Sequence, residues 1–298
     1  IPNMVHIVIQ KILQATGNMI APMWFQIAGV VFNFVFDPLL IFGIGPFPKM
    51  GVVGAAVATV LGYVVSTIIA LIQLFLTKQK VKPVFKNCLE PQMIKLIFSY
   101  GLPSFVMNAL GAFTVNFANM FLVRYSDTAV AFFGAYFKVQ QLIFMTVNGL
   151  IQGCLPIMRF NYRAKEYGRL KQANKSGTII ATVMMIVGML LVLIFPKEIL
   201  FLFSASEEMC AFGVPAMRIM SLGFVFSGFS AMIATYEQAT DSIMPGVVVQ
   251  LLRQGVLLVP VIWLLNSAVQ MTGIWLAFPI TEFVTFLVAV VFAKIKNH

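Results

Sequence analysis

Long stretches without charged residues constrain this chain more than any other feature. Between Lys11 and Lys49 the only charged residue is Asp37, and none lies between Lys49 and Lys78. Hydrophobic residues make up 60% of the 298 residues and charged residues 10%, and the mean hydropathy is +0.94. A soluble domain has about 25% charged residues, and a core of this size cannot hide so much apolar surface. The sequence therefore predicts an all-α integral membrane protein.

The apolar runs predict eight complete membrane spans and part of a ninth. The partial span covers about residues 1–15, and the complete spans cover 21–43, 52–76, 94–123, 128–158, 175–195, 209–235, 245–265 and 273–293. Loops rich in Lys and Arg stay in the cytoplasm. One set of alternating loops holds fourteen of these residues and the opposite set holds three. This bias predicts a multi-pass plasma-membrane protein with a cytoplasmic C-terminus.

Two parts of the chain match each other at a nearly constant spacing. The matches are Gln14-Ala15-Thr16 with Gln238-Ala239-Thr240, Pro22 with Pro245, Pro38 with Pro260, and Gly51, Ala55 and Thr59 with Gly273, Ala277 and Thr281. The offset narrows only from 224 to 222 along these matches, which indicates a parallel duplication.

The duplication predicts the organisation of the chain. We expect residues 1–76 to be the end of a first lobe, 77–93 a cytoplasmic linker, and 94–298 a complete second lobe. The chain starts with Ile1 rather than Met, and the repeat predicts that about 130 residues precede it in the intact protein.

Asp37 is the strongest candidate for a functional residue. An ionised carboxylate in a membrane-spanning helix is costly and is a functional candidate by default. Asn33 lies four residues earlier on the same helical face, and Pro38 removes one helical hydrogen bond. Near the equivalent positions the second copy has Val256 and Val259 instead. These residues predict a proton or small-cation site, and the alternative is a buried Asp that pairs with a polar group in the segment expected to precede residue 1.

Several short segments together match one known pattern. They are Leu13-Gln14-Ala15-Thr16-Gly17-Asn18, Asn33-x3-Asp37-Pro38-Leu39-Leu40-Ile41-Phe42-Gly43, Gly51-Val52-Val53-Gly54-Ala55-Ala56-Val57-Ala58-Thr59, Gly101-Leu102-Pro103, and Asn161-Tyr162-Arg163-Ala164 with Arg169. In this combination the chain resembles the multidrug and toxic compound extrusion (MATE) family of antiporters. The resemblance runs from helix four to helix twelve of a twelve-helix protein.

The resemblance implies a two-lobe transporter with six helices in each lobe, of which about eight and a half are present here. It implies export of small, amphipathic, cationic compounds, driven by inward flow of H⁺ or Na⁺ and without another cofactor. It places the coupling site at Asn33, Asp37 and Thr59, with Na⁺ at Asp37 where Na⁺ is the ion. Some members carry an acid on helix seven, where this chain has Asn108 and Gly111, so a cation site in the second lobe is not implied.

Other polar residues within the spans have less definite interpretations. Lys138, Gln141 and Asn108 are predicted to line a cavity, and the alternative for Lys138 is a structural lysine satisfied by carbonyl groups. Arg218 and Arg253 lie near the ends of their spans, and we expect both side chains to snorkel to the interface.

The polar segments between the spans have simpler expected roles. Glu237 and Asp241 are expected to stay solvated in a cytoplasmic turn, and the basic loop 159–175 to serve topology and contact anionic lipids. Cys88, Cys154 and Cys210 lack the spacing of metal ligands or of a disulfide framework.

Several functions compete with drug export. A flippase for lipid-linked oligosaccharides has a related architecture, but it needs more cationic residues in its cavity than Lys138 provides. An enzyme is disfavoured because no carboxylate pair, metal set or nucleophile–base pair lies within the spans. A channel fits a duplicated, asymmetric chain less well than alternating access does. We expect a monomer that contacts membrane lipids and small compounds and does not bind nucleic acid.

Overall fold

The computed structural model describes residues 2–15, 17–18, 20–76, 90–240 and 243–296, which form helices and short connections and contain no strand. The helices are α1 (Pro2–Ala15), α2 (Ile20–Phe42), α3 (Val52–Leu76), α4 (Pro91–Leu122), α5 (Asp127–Arg163), α6 (Tyr167–Ile194), α7 (Pro196–Phe201), α8 (Glu207–Ser221), α9 (Phe224–Ala239), α10 (Ile243–Leu251), α11 (Leu258–Val269) and α12 (Met271–Lys296). A π-helical turn, Leu252–Val256, joins α10 to α11.

The chain folds as two compact units, Ile1–Glu90 and Pro91–His298. In the first unit α3 packs against both α1 and α2. The centre of this unit is a small apolar core formed by Ile9, Leu13, Ala21, Phe25, Ala70 and Leu74. Most of the predicted linker, residues 77–89, lies outside the described residues.

Helices α2 and α3 approach closely because glycines face each other. A Cβ atom added to Gly62 would lie 2.8 Å from the carbonyl oxygen of Gly29, and one added to Gly29 would overlap the side chain of Ser66. A larger residue at either glycine would force the helices apart. This glycine seam, Gly29, Gly62 and Ser66, sets the distance across which α2 and α3 present their polar side chains.

Aromatic side chains fill the core of the second unit. The ring of Phe132 meets Trp275 and Phe212 edge-on at centroid distances of 5.2 and 5.6 Å. Tyr136 stacks at 6.5 Å on Phe224, the first residue of α9. These contacts join α5 to α8, α9 and α12, so the position of α5 is fixed by packing on several sides.

The π-helical turn stands one turn before Pro260. The N–H of Leu257 donates to the carbonyl of Leu252 at 3.1 Å, which closes the wider π-type ring. A Cβ atom added to Gly255 would lie 2.6 Å from Leu110 of α4, so a side chain there would collide with α4. The span from α10 to α11 is therefore irregular at its middle, where α2 in the first unit stays helical through Pro38.

The predicted spans correspond to the observed helices. The span 209–235 is divided into α8 and α9 at Leu222–Gly223, and the span 245–265 covers most of α10, the π-helical turn and most of α11. The predicted basic loop 159–175 is wrong, because α5 continues to Arg163 and α6 begins at Tyr167. Charge ends an apolar span, but it does not end the backbone hydrogen bonds of a helix.

Six of the described helical segments are long and apolar enough to cross a membrane: Ile20–Phe42, Val52–Phe75, Asp127–Arg163, Tyr167–Ile194, Glu207–Ala239 and Met271–Phe292. Two shorter apolar helical stretches are Ala109–Leu122, within the predicted span 94–123, and Leu258–Val269, which begins within the predicted span 245–265 and extends beyond it.

Candidate functional site

The structure brings the three predicted coupling residues together between α2 and α3. Asn33 and Asp37 lie one turn apart on α2, and Thr59 faces them from α3. The glycine seam lies beside them, because a Cβ atom added to Gly62 would also lie 3.3 Å from the Cβ of Asn33. The close approach of the two helices therefore allows the Asn33 amide to contact both Asp37 and Thr59.

Asn33 bridges the carboxylate and the facing helix. In one orientation of its amide, Nδ2 lies 3.4 Å from Asp37 Oδ1 and 3.3 Å from Thr59 Oγ1. With the amide turned over, Nδ2 donates to Asp37 Oδ2 at 3.0 Å and the side-chain oxygen accepts from the Thr59 N–H at 3.1 Å. The second orientation is the better one, because both contacts shorten and donors face acceptors.

The carboxylate of Asp37 is half-buried and has no ion-pair partner among the described residues. The hydroxyl of Thr59 donates to the carbonyl of Ala55 at 2.8 Å, so its lone pairs remain directed outward. Asp37 and Thr59 therefore present oxygen atoms on a surface that the unit leaves open. Such a cluster can hold a proton on the carboxylate or contribute oxygen ligands to a hard cation.

Lys138 lines an open groove of about 590 Å³ on the second unit. The other lining residues come from α5 and from the segment before and at the start of α8, and they are Asp127, Thr128, Ala131, Gly134, Ala135, Phe203, Ser204, Ser206 and Met209. Gln141 is exposed three residues further along α5. The side chain of Asn108 lies outside the described ones, so its predicted place in a cavity stays a prediction.

Two expectations about charged side chains are wrong. Arg253 does not snorkel: its Nε donates to Glu282 Oε1 at 2.7 Å, and the two side chains are only 15% and 14% exposed. Glu237 is not solvated, because it lies within α9 and is 1% exposed. Arg218 is exposed and donates to the carbonyl of Leu193 at 3.3 Å, and Asp241 lies outside the described residues.

Glu282 is the polar residue that sequence reasoning missed. It is the only acidic residue after Asp241, which is the same signal that drew attention to Asp37. At the position equivalent to Asp37 the second copy has Val259, which carries no charge. Glu282 instead follows Thr281, the equivalent of Thr59, on the other helix of the pair.

Within the described part of the chain, no group of three His, Cys, Asp or Glu side chains is close enough together to hold a metal ion. Cys154 and Cys210 are free thiols, and Cys88 lies outside the described residues.

Known proteins share this sequence pattern. The family profile MatE matches residues 103–264, more than half of the chain. The multidrug export protein MepA of Staphylococcus aureus (strain bovine RF122 / ET3-1) is 26% identical over 277 residues, which are 92% of this chain and 60% of that protein. MepA of Staphylococcus saprophyticus is 26% identical over 286 residues, or 95% of this chain and 61% of that protein. The chain therefore spans about three fifths of these relatives.

Solved structures share the fold. A multidrug resistance MATE family transporter of the MOP superfamily, in an outward-facing conformation, superposes with a TM-score of 0.86 at 21% identity. A MOP superfamily transporter from Pyrococcus furiosus, described as having a binding pocket of reverse polarity, superposes with a TM-score of 0.87 at 21% identity. Each alignment covers 98% of this chain and 65% of the other.

Proposed function

This chain belongs to the MATE family, and on that premise we propose that it exports small amphipathic cations by antiport against an inward flow of ions. The observation that carries the proposal is the cluster of Asn33, Asp37 and Thr59 between α2 and α3. It supplies one carboxylate without a counter-ion among the described residues, held by an amide that also contacts the neighbouring helix.

The coupling step follows from this bridge. When Asp37 is charged, the Asn33 amide donates to it, and the oxygen of the same amide accepts from the backbone of α3. When Asp37 gains a proton or a cation, its negative charge is neutralised and its hydrogen bond to Asn33 weakens. Ion binding thereby changes the contact between α2 and α3, and a change in the contact between two helices is the kind of element that alternating access requires.

We propose H⁺ rather than Na⁺ as the coupling ion. Na⁺ needs several oxygen ligands, as other hard cations do. In the better orientation of Asn33, the amide oxygen is already occupied by the Thr59 N–H. The cluster then offers a cation only the carboxylate of Asp37 and the hydroxyl of Thr59 as oxygen ligands. Two such residues make an incomplete coordination shell for a metal ion, but one carboxylate is sufficient for a proton.

Inside-out membrane vesicles that contain the full gene product test this proposal. An acidic interior should drive uptake of an organic cation such as ethidium in Na⁺-free buffer, and collapse of the pH gradient should stop it. Uptake that requires a Na⁺ gradient would show that Na⁺, and not H⁺, is the coupling ion. Movement of an anionic lipid-linked sugar without movement of the dye would replace the drug-export proposal by the flippase.

A further inference from the structure

The second unit contains a largely enclosed ion pair on the pair of helices that matches α2 and α3. With the repeat offset of 222, α2 corresponds to the segment from α10 to α11, and α3 corresponds to α12. Arg253 lies on the first of these and Glu282 on the second, and their side chains meet at 2.7 Å. Arg253 lies two residues before position 255, which corresponds to Asn33. Glu282 directly follows Thr281, which corresponds to Thr59.

The pair is enclosed by the core of the second unit. The guanidinium of Arg253 lies over the ring of Phe144 at 5.0 Å, and a Cβ atom added to Gly223 would lie 3.2 Å from Glu282 Cγ. The contact uses only one guanidinium N–H and one carboxylate oxygen, and Glu282 Oε2 is buried without a hydrogen-bond partner in the described part of the chain. An acid held in this way depends on Arg253 for its charge balance.

We propose that the Arg253 guanidinium is a tethered cation, which holds the second unit permanently in the state that ion binding at Asp37 produces transiently in the first. This inference rests on the proposed function for the role of Asp37. It assigns ion uptake to the first unit alone and makes Glu282 a cation site whose ligand is part of the chain. The two copies then differ in whether the cation comes from solution or from the protein.

Other charged groups near Glu282 do not replace Arg253. From α5 the titratable neighbour is Tyr136, whose hydroxyl is buried and lacks a hydrogen-bond partner among the described residues. Helices α10 and α11 contain no charged residue. The charged residues of α8 and α9 are Glu207, Glu208, Arg218 and Glu237; Arg218 donates to α6, and Glu237 lies fourteen residues from Gly223.

Thermal unfolding of the purified full gene product between about pH 5 and pH 8 tests the pairing. In Arg253→Gln the largely enclosed Glu282 carboxylate loses its cation, and an unpaired charge there destabilises the fold unless the carboxylate carries a proton. The Tm deficit of this variant against wild type should therefore be small at acid pH and grow as the pH rises. The double variant Arg253→Gln/Glu282→Gln should lose that pH dependence, and Arg253→Lys should behave like wild type.

A matched control is Arg218→Gln, which removes an arginine that contacts a carbonyl rather than an acid. It should show no added pH dependence. An equal, pH-independent Tm loss in Arg253→Gln and Arg218→Gln would overturn the tethered cation, because Glu282 would then not need its partner.

Transport separates this inference from the proposed function. The folded double variant Arg253→Gln/Glu282→Gln should keep gradient-driven export and the wild-type number of protons moved per substrate. A fall in that number would overturn the inference by making Glu282 a coupling site itself. Export that persists when Asp37 is neutralised would instead refute the proposed function, whatever the pairing of Arg253.

Discussion

At the scale of single residues, the proposed function depends on the hydrogen bonds of the Asn33 amide. Asn33 contacts both the carboxylate on its own helix and the backbone of α3. Asp37 has no other hydrogen-bond donor among the described residues. A hydrogen bond to a charged group contributes about 1.5–3 kcal/mol, so this one contact is a large part of what defines the charged state of the site.

Asn33→Leu should therefore lower gradient-driven export by about ten-fold or more, since that free energy corresponds to at least a factor of ten. The variant keeps the approximate volume of the side chain and loses the bridge to Thr59. The matched control is Asn116→Leu, which removes an exposed amide that contacts only the carbonyl of Ala112 on its own helix. Initial rates of dye uptake, normalised to the amount of protein, measure the difference, and equal rates would contradict the bridge.

Thr59→Val distinguishes the two coupling ions. The hydroxyl of Thr59 donates to the carbonyl of Ala55, and only a metal ion needs its lone pairs as a ligand. With H⁺ coupling the variant should keep export within about three-fold of wild type, because one exposed hydrogen bond contributes about 1 kcal/mol or less. Near-complete loss in Thr59→Val, with activity retained in Thr59→Ser, would instead indicate a Na⁺ ligand.

At the scale of helices, the glycine seam is what brings Asn33 within reach of Thr59. The matching positions of the second copy, 251, 284 and 288, hold Leu, Val and Val, so that copy lacks the glycine seam at these positions. It joins the corresponding helices by the Arg253–Glu282 pair instead. The equivalent helices are thus held together by small residues in the first copy and by an ion pair in the second.

Gly62→Ala should destabilise the protein, because the new methyl group would lie 2.8 Å from the carbonyl oxygen of Gly29. Overpacking of this kind costs about 1–3 kcal/mol, which corresponds to a fall in Tm of about 2–10 °C. Gly149→Ala is the matched control, since a Cβ atom there meets nothing within 4 Å. Differential scanning fluorimetry in detergent measures both, and an unchanged Tm for Gly62→Ala would mean that α2 and α3 are not closely packed.

At the scale of the whole molecule, the duplicated copies carry unequal charge. The first places a lone carboxylate between its paired helices, and the second places a neutral Arg–Glu pair there. We propose that this asymmetry of charge distinguishes a copy that responds to ions from one that does not.

The orientation of the chain in the membrane can also be tested. The charge bias predicts that the α5–α6 connection lies in the cytoplasm and the α7–α8 connection outside. In a background without Cys88, Cys154 and Cys210, a cysteine at Glu166 should be labelled by an impermeant maleimide only from the inside. A cysteine at Leu202 should be labelled only from the outside. The reverse labelling would mean that the predicted topology is wrong and that the proposed direction of transport is reversed.

Sequence patterns predict the local features of this molecule, but they do not predict contacts between residues that are distant in the chain. The apolar runs predict the helices, and the i, i+4 spacing brings Asn33 next to Asp37 without any tertiary information. The low exposure of Arg253 could not be predicted from its place near the end of a span, because it depends on Glu282, twenty-nine residues away on another helix. Likewise, the end of an apolar run did not predict the end of α5, since charged side chains can continue a helix beyond the bilayer.

The most direct test of the central claim is gradient-driven export by the Asp37→Asn variant of the full gene product. This change removes the charge and almost no volume, so the protein should fold and insert normally. Glu198→Gln makes the same chemical change at an exposed residue of α7 and serves as the control. The account predicts that an imposed pH gradient drives ethidium export by wild type and by Glu198→Gln but not by Asp37→Asn. Full export by the Asp37→Asn protein would contradict it and leave Asp37 a structural residue.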